Sequence, residues 1–195
     1  MGKVERRQEL LLAARDVFAA KGYHDAKVDD IVSQAKVAKG TFYLYFRDKR
    51  SVFAELVDGL FGRLAGAVLR VDTEGDVEAQ VEHNIRAIVG VLLEDPALSR
   101  LLLSYAGGLD PAFVTKVRSF YDGARTLLRE SLAEGQRLGI VAPGDPGLYA
   151  TFTLGAMKET LLEASLGDSG MTREGIVRAF FDLLRGGYLR VGSRR

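Results

Sequence analysis

The side chains best placed to do chemistry lie in the run KGTFYLYFRDK, residues 39–49. Lys39, Thr41, Tyr43 and Tyr45 set an amine, a hydroxyl and two phenols close together, and phosphate oxygens accept hydrogen bonds from all of these. Phe42 and Phe46 are spaced i,i+4, so on a helix both turn toward one small core. With them inward, Thr41, Leu44 and Tyr45 face outward, Lys39 stands at the N-terminus and Tyr43 lies at the edge. Such a surface suits double-stranded DNA, whose base edges come close to the start of a recognition helix while phosphates flank it. The competing reading is a solvated face with its aromatics half-buried among helices. It would hold for any one of these tyrosines alone, but the cluster argues against it.

Positioning these groups requires neighbouring elements. The first fifty residues predict helices over 4–21, 28–35 and 39–46. Leu10, Leu11, Ala14, Val17 and Phe18 form one side of the first, which Lys21-Gly22 can end as a C-cap. Val28, Ile31, Val32 and Ala35 share a face of the second, and the break Lys36-Val37-Ala38 leads to the third. Two short helices joined by a tight turn and buttressed by a preceding helix make a helix-turn-helix. Charge agrees with it: residues 1–50 hold 11 Lys plus Arg against 7 Asp plus Glu, whereas residues 51–195 hold 16 against 19.

The run VFAAKGYHDAKVDDIVSQAKVAKGTFYLYFRDKRSVFAELV, residues 17–57, resembles the tetracycline-repressor (TetR) family of bacterial regulators, most specifically from Lys39 to Lys49. The resemblance implies that 39–46 enters the major groove, with Lys39, Thr41 and Phe42 nearest the bases and Gly40 among the contacting positions. Tyr43, Tyr45 and Lys49 would hold phosphates. The sequence departs from the family pattern at two places. Lys36 stands where the family usually has Gly; if that turn needs positive φ, a non-glycine residue costs on the order of 1 kcal/mol. Lys27 stands where Thr or Ser often caps the second helix and touches phosphate, so that cap is lost. Both departures add positive charge, and DNA binding is expected to survive them.

Catalytic and metal chemistry find little support. There is no cysteine, and the two histidines, His24 and His83, cannot build a multi-histidine metal centre. Gly167-Asp168-Ser169-Gly170 has the look of a serine-protease motif, but no base or oxyanion hole accompanies it. Gly62 and Gly66 form a small-residue pair in a predicted helix, without the strand and Lys-Ser/Thr of a phosphate loop. The expectation is a protein that is not an enzyme and carries no metal or cofactor. No apolar run approaches the roughly 18 to 20 residues of a spanning helix, and Glu9, Arg15 and Asp16 break the N-terminal stretch, so a cytoplasmic protein is expected.

The rest of the chain predicts helices at 49–70, 76–94, 96–106, 111–138, 146–166 and 172–190. Asp95 and Asp110 each precede a proline as prospective caps. The fold class is therefore all-α: residues 1–50 a helix-turn-helix DNA-binding domain, and residues 51–195 a helical ligand-binding and dimerisation domain. The last helix shows two apolar stripes, Ile176, Phe180 and Leu183 beside Val177, Phe181, Leu184 and Tyr188. With Phe152 and Ala156 of the helix before it, these predict a homodimer through a four-helix bundle, as the resemblance also implies; the other reading is a monomer core. Asn84, Ile88, Tyr105, Val117, Tyr121, Arg125 and Phe152 are candidate lining for a mostly apolar effector cavity. Together these describe a ligand-responsive regulator, most simply a repressor, that binds a palindromic operator as a homodimer and is released by a hydrophobic or amphipathic small molecule. The alternative is a helical ligand-binding or scaffolding module whose DNA binding is vestigial.

Overall fold

The computed structural model describes residues 3–103 and 111–189. Among these residues the chain is all-helical: α1 (Lys3–Asp25), α2 (Val28–Gln34), α3 (Lys39–Tyr43), α4 (Lys49–Ala67), α5 (Val77–Glu94), α6 (Pro96–Leu103), α7 (Pro111–Arg137), α8 (Pro146–Ser165) and α9 (Arg173–Gly187). The helix starts follow their capping chemistry. Asp48 accepts the Ser51 amide at 2.7 Å, Asp76 the Ala79 amide at 3.0 Å, Asp95 the Leu98 amide at 3.1 Å, and Thr172 Oγ1 the Gly175 amide at 3.1 Å. Asp145 accepts from both Gly147 and Leu148 ahead of a proline in the first turn. Asp110 lies outside the described residues.

The first helix bends at Gly22, whose φ of 76° and ψ of 166° leave the helical region, and one more turn carries the chain to Asp25. Leu10, Ala14, Phe18, Ile31, Phe42 and Phe53 are fully buried and bring α1 to α4 around one core. Fully burying an apolar side chain of this size contributes about 1.5–3 kcal/mol, so these few residues dominate the stability of the small N-terminal half.

That core does not close on its own. Phe113, from the first turn of α7, is 3 % exposed and sits edge-on to Phe53 at 4.7 Å between ring centres and 5.6 Å from Tyr23. Phe18 meets Phe53 edge-on at 5.5 Å, so α1, α4 and α7 share one aromatic cluster. A cut at residue 50 passes through the start of α4, whose Val52, Phe53 and Val57 are all buried. The N-terminal half also rests on α6 through α1, where Arg15 reaches Asp95 at 3.5 Å.

Several helix ends differ from those predicted. α3 stops at Tyr43, and residues 44–46 continue as a hydrogen-bonded turn in which the Phe46 amide donates to the Phe42 carbonyl at 3.0 Å. α4 stops at Ala67 because Asn84 of α5 takes the backbone of Leu69, accepting its N–H at 2.7 Å and donating to its C=O at 2.8 Å. α9 ends at Gly187, and the chain then extends: Leu189 bridges to Val141, and the Ala142 amide donates to the Tyr188 carbonyl at 2.7 Å. The ring of Tyr188 stacks on Tyr149 at 4.9 Å. The end of the predicted 96–106 helix, Tyr105 and the tail Val191–Arg195 lie outside the described residues.

Candidate nucleic-acid interface

The turn from α2 to α3 is a Schellman cap. The Val37 amide donates to the Val32 carbonyl at 3.0 Å and the Lys36 amide to the Ser33 carbonyl at 3.2 Å. Lys36 occupies the left-handed position of that motif with φ 54°, alone among the described non-glycine residues in having positive φ. The turn therefore does need the conformation in which glycine is at ease, and a lysine holds it under strain. Lys27 supplies no side-chain cap to α2, as expected; instead Asp30 reaches back and accepts the Lys27 amide at 2.9 Å. Lys21 donates to the other oxygen of Asp30 at 2.6 Å, and these two hydrogen bonds hold the Asp30 carboxyl below its ordinary range.

Phe42 and Phe46 are buried, at 0 % and 4 % exposure, and their rings lie 5.8 Å apart. They hold the recognition helix from beneath. Phe42, expected near the bases, is thus an anchor whose ring faces the core. Outward stand Lys39, Gly40, Tyr43 and Leu44, all exposed, with Thr41 half-exposed. Tyr45, expected to face outward, is half-buried against the core. No side chain caps the start of α3 at Ala38, and a Cβ placed on Gly40 would meet nothing within 4 Å. Internal packing does not demand that glycine, and its lack of a side chain leaves the helix start open to close approach. Lys39 pairs with Asp29 of α2 at 2.7 Å, a hydrogen bond that raises the pKa of the lysine.

Lys49, expected to hold phosphate, is engaged within the chain. Its ammonium donates to the carbonyls of Tyr23, His24 and Ala26, each at 2.8 Å, and lies 4.8 Å from the centre of the Tyr23 ring. An ammonium has three protons, and all three are committed to the chain leaving α1. Lys49 thus ties the orphan carbonyls at the end of α1 to the start of α4, where a cation is also favoured by the dipole of α1. Arg47, which spacing did not single out, is the cation that stays outside: its side chain is 89 % exposed, with Asp48 at 3.6 Å. The sequence signal for it was its place in the turn directly after the aromatic anchors.

Among the candidate effector residues, Ile88, Val117 and Tyr121 share the core of the helical body. Asn84 is occupied with Leu69. Val117 is core, while Arg125 is exposed and pairs with Asp122 at 2.6 Å. Ile88 and Tyr121 are half-buried and Phe152 is 63 % exposed. α4 and α7 meet through a ring pair that residue spacing does not announce, Phe61 stacked on Phe120 at 3.9 Å with planes 4° apart. Two open hollows of about 580 and 430 Å³ lie along α1, away from α5, α7 and α8.

The dimer residues divide. Phe180 and Leu184 are buried within the chain, where α9 packs its stripe of Ile176, Val177, Phe180 and Leu184 mainly onto α5. Phe181 is half-buried, and Tyr188 bonds to Thr153 at 2.6 Å between their hydroxyl oxygens. Ala156 is half-buried. Phe152, together with Leu148 of α8 and Leu183 of α9, remains exposed.

An exposed, anchored recognition helix on a helix-turn-helix, carried by a larger helical body, is the architecture of a DNA-binding transcription factor. The family model described as bacterial regulatory proteins of the tetR family matches residues 10–56. The HTH-type transcriptional regulator YdgC of Bacillus subtilis (strain 168) is 34% identical over 142 residues, covering 70% of this chain and 68% of that protein. The chain belongs to the tetR family and is a DNA-binding transcriptional regulator. Among solved structures, the fatty acid degradation regulator FadR from Bacillus halodurans is 26% identical with a TM-score of 0.75, covering 100% of this chain and 99% of that one. The SmeT–triclosan complex has a TM-score of 0.77 at 19% identity, over 96% and 93% of the two chains, and shows the shared fold.

Proposed function

We propose that this chain is a repressor that binds a palindromic operator as a homodimer and is released by a hydrophobic or amphipathic small molecule. The observation that carries the reading is the recognition helix itself: Phe42 and Phe46 locked in the core beneath Lys39, Gly40, Thr41 and Tyr43 at the surface. A single helix of five residues reads too few base pairs for an operator, and a two-fold pair with half-sites about 34 Å apart doubles it. Leu148, Phe152 and Leu183 supply an apolar face on α8 and α9 for that pairing. FadR is a fatty acid degradation regulator and SmeT was solved with triclosan, both of which fit an apolar effector. Such an effector would enter the helical body beyond α4, where Phe61 stacks on Phe120 of α7. Release then follows from linkage: a ligand that prefers a mis-spaced pair of recognition helices weakens DNA binding by the same factor that DNA weakens the ligand.

The test is a gel shift on the DNA upstream of the chain's own gene, with and without a long-chain fatty acid or its acyl thioester. A specific shift on a site with two-fold symmetry, abolished on adding ligand, is the expected result. Binding that shows no preference over random DNA would replace this reading with a ligand-binding module whose DNA contacts are vestigial.

A further inference from the structure

Two cations bracket the recognition helix. Lys36 precedes α3 in the turn from α2, and Arg47 follows it in the turn to α4. Lys36 is exposed and forms no ion pair among the described residues. Its backbone holds φ 54°, where glycine would be relaxed, so the lysine stands there at a conformational cost. Arg47 is 89 % exposed. Its Nε lies 3.6 Å from Oδ2 of Asp48, whose Oδ1 takes the Ser51 amide, and the rest of the guanidinium faces solvent. From Lys39 through the turn ending at Phe46 the chain rises about 10 Å, close to the major-groove width of about 12 Å, which would set groups beyond its two ends near the two phosphate rims. Lys49, between Arg47 and the body of α4, has its three protons on the carbonyls of Tyr23, His24 and Ala26.

We propose that Lys36 and Arg47 make the phosphate grip of this regulator, one on each rim of the groove, and that Lys49 makes no phosphate contact. The proposal rests on the recognition helix entering the major groove and adds which charges hold it there. Lys36 then exchanges backbone comfort for a charge at the turn that leads into the recognition helix.

Salt dependence decides it, because each phosphate neutralised releases counterions and contributes about 0.9 to the slope of log affinity against log salt. The full chain and its variants are titrated by fluorescence anisotropy against a labelled mixed-sequence duplex, from about 50 to about 200 mM salt. Lys36→Gly and Arg47→Ala should each flatten the slope, shrinking the affinity ratio between those salts about 3.5-fold for each phosphate no longer neutralised. Arg47→Lys should restore the slope, and Lys49→Gln should leave it unchanged. A flattened slope for Lys49→Gln, or unmoved slopes for Lys36→Gly and Arg47→Ala in protein of native helical content, overturns the proposal. If Lys49→Gln does not fold, the other two variants decide alone. An unaltered chain with no salt-dependent binding to duplex would remove the groove reading as well, so the two failures are told apart.

Discussion

Lys36→Gly should make the protein more stable, although it removes a side chain and adds backbone freedom. Lys36 sits at the left-handed position of the α2 cap with φ 54°, and a non-glycine residue there loses about 1–2 kcal/mol relative to a right-handed conformation. Glycine removes that penalty. It also widens the unfolded ensemble, which offsets about 0.5–1 kcal/mol. The net gain is about 0.5–1 kcal/mol, and at about 2–4 °C per kcal/mol for a chain of this size the midpoint should rise by about 1–4 °C. The amide bonds Val37 to Val32 and Lys36 to Ser33 involve backbone alone and survive the change. Urea denaturation followed by far-ultraviolet circular dichroism reads the difference, with the slope m unchanged. Lys36→Val should move the opposite way, because a β-branched residue is worse still at positive φ. A midpoint for Lys36→Gly equal to or below that of the unaltered chain would refute the reasoning, since the strain it assigns to this residue would not exist.

Lys49→Met keeps the length of the side chain and strips its charge, leaving the carbonyls of Tyr23, His24 and Ala26 without their donor; a loss of about 1–3 kcal/mol is expected from chemical denaturation. Asp48→Ala should cost about 1 kcal/mol at neutral pH because the helix cap is removed. The Ser51 amide holds the Asp48 carboxyl below its ordinary pKa, so its contribution is present above about pH 4 and fades as pH falls through the lowered folded-state value. The stability difference between the two proteins should therefore close in acid, as measured by urea titrations at neutral pH and near pH 3. Phe152→Glu combined with Leu183→Glu should shift analytical ultracentrifugation from dimer to monomer without loss of helical content, because both side chains are already exposed in the single chain; a dimer that persists would place the interface elsewhere.

Features fixed by neighbours close in sequence were readable in advance. Phe42 and Phe46 had to share a face at i,i+4, Gly22 had to end the first straight run, and Asp95 had to cap the helix that Pro96 opens. What the sequence hid are meetings between residues far apart along the chain. Lys49 looks like any surface lysine until the end of α1 brings three carbonyls to it. Asn84 falls on the apolar stripe of α5, yet its amide is matched by the backbone of Leu69, where α4 has given way to the loop. The two stripes of α9 suggested two partners. One of those partners is α5 of the same chain, which takes Phe180 and Leu184 inside and leaves Leu183 as the outward residue. Arg47 escaped notice because nothing in its spacing separates a phosphate-holding arginine from a solvated one.

Phe113 gives the two halves of the molecule a common floor. Its ring comes from α7 but completes the aromatic core beneath α1 and α4, with Arg50 5.9 Å from its centre. A chimera that grafts residues 1–67 onto a foreign regulatory body would arrive with a benzyl-sized hole under Tyr23 and Phe53, and the carbonyls gathered by Lys49 would lose their backing. Any displacement of the first turn of α7 is felt at that same spot, between α1 and α4. Modularity in this protein is therefore limited by that ring as well as by the contact of α1 with α6, and whoever swaps its parts must carry the phenylalanine across with them.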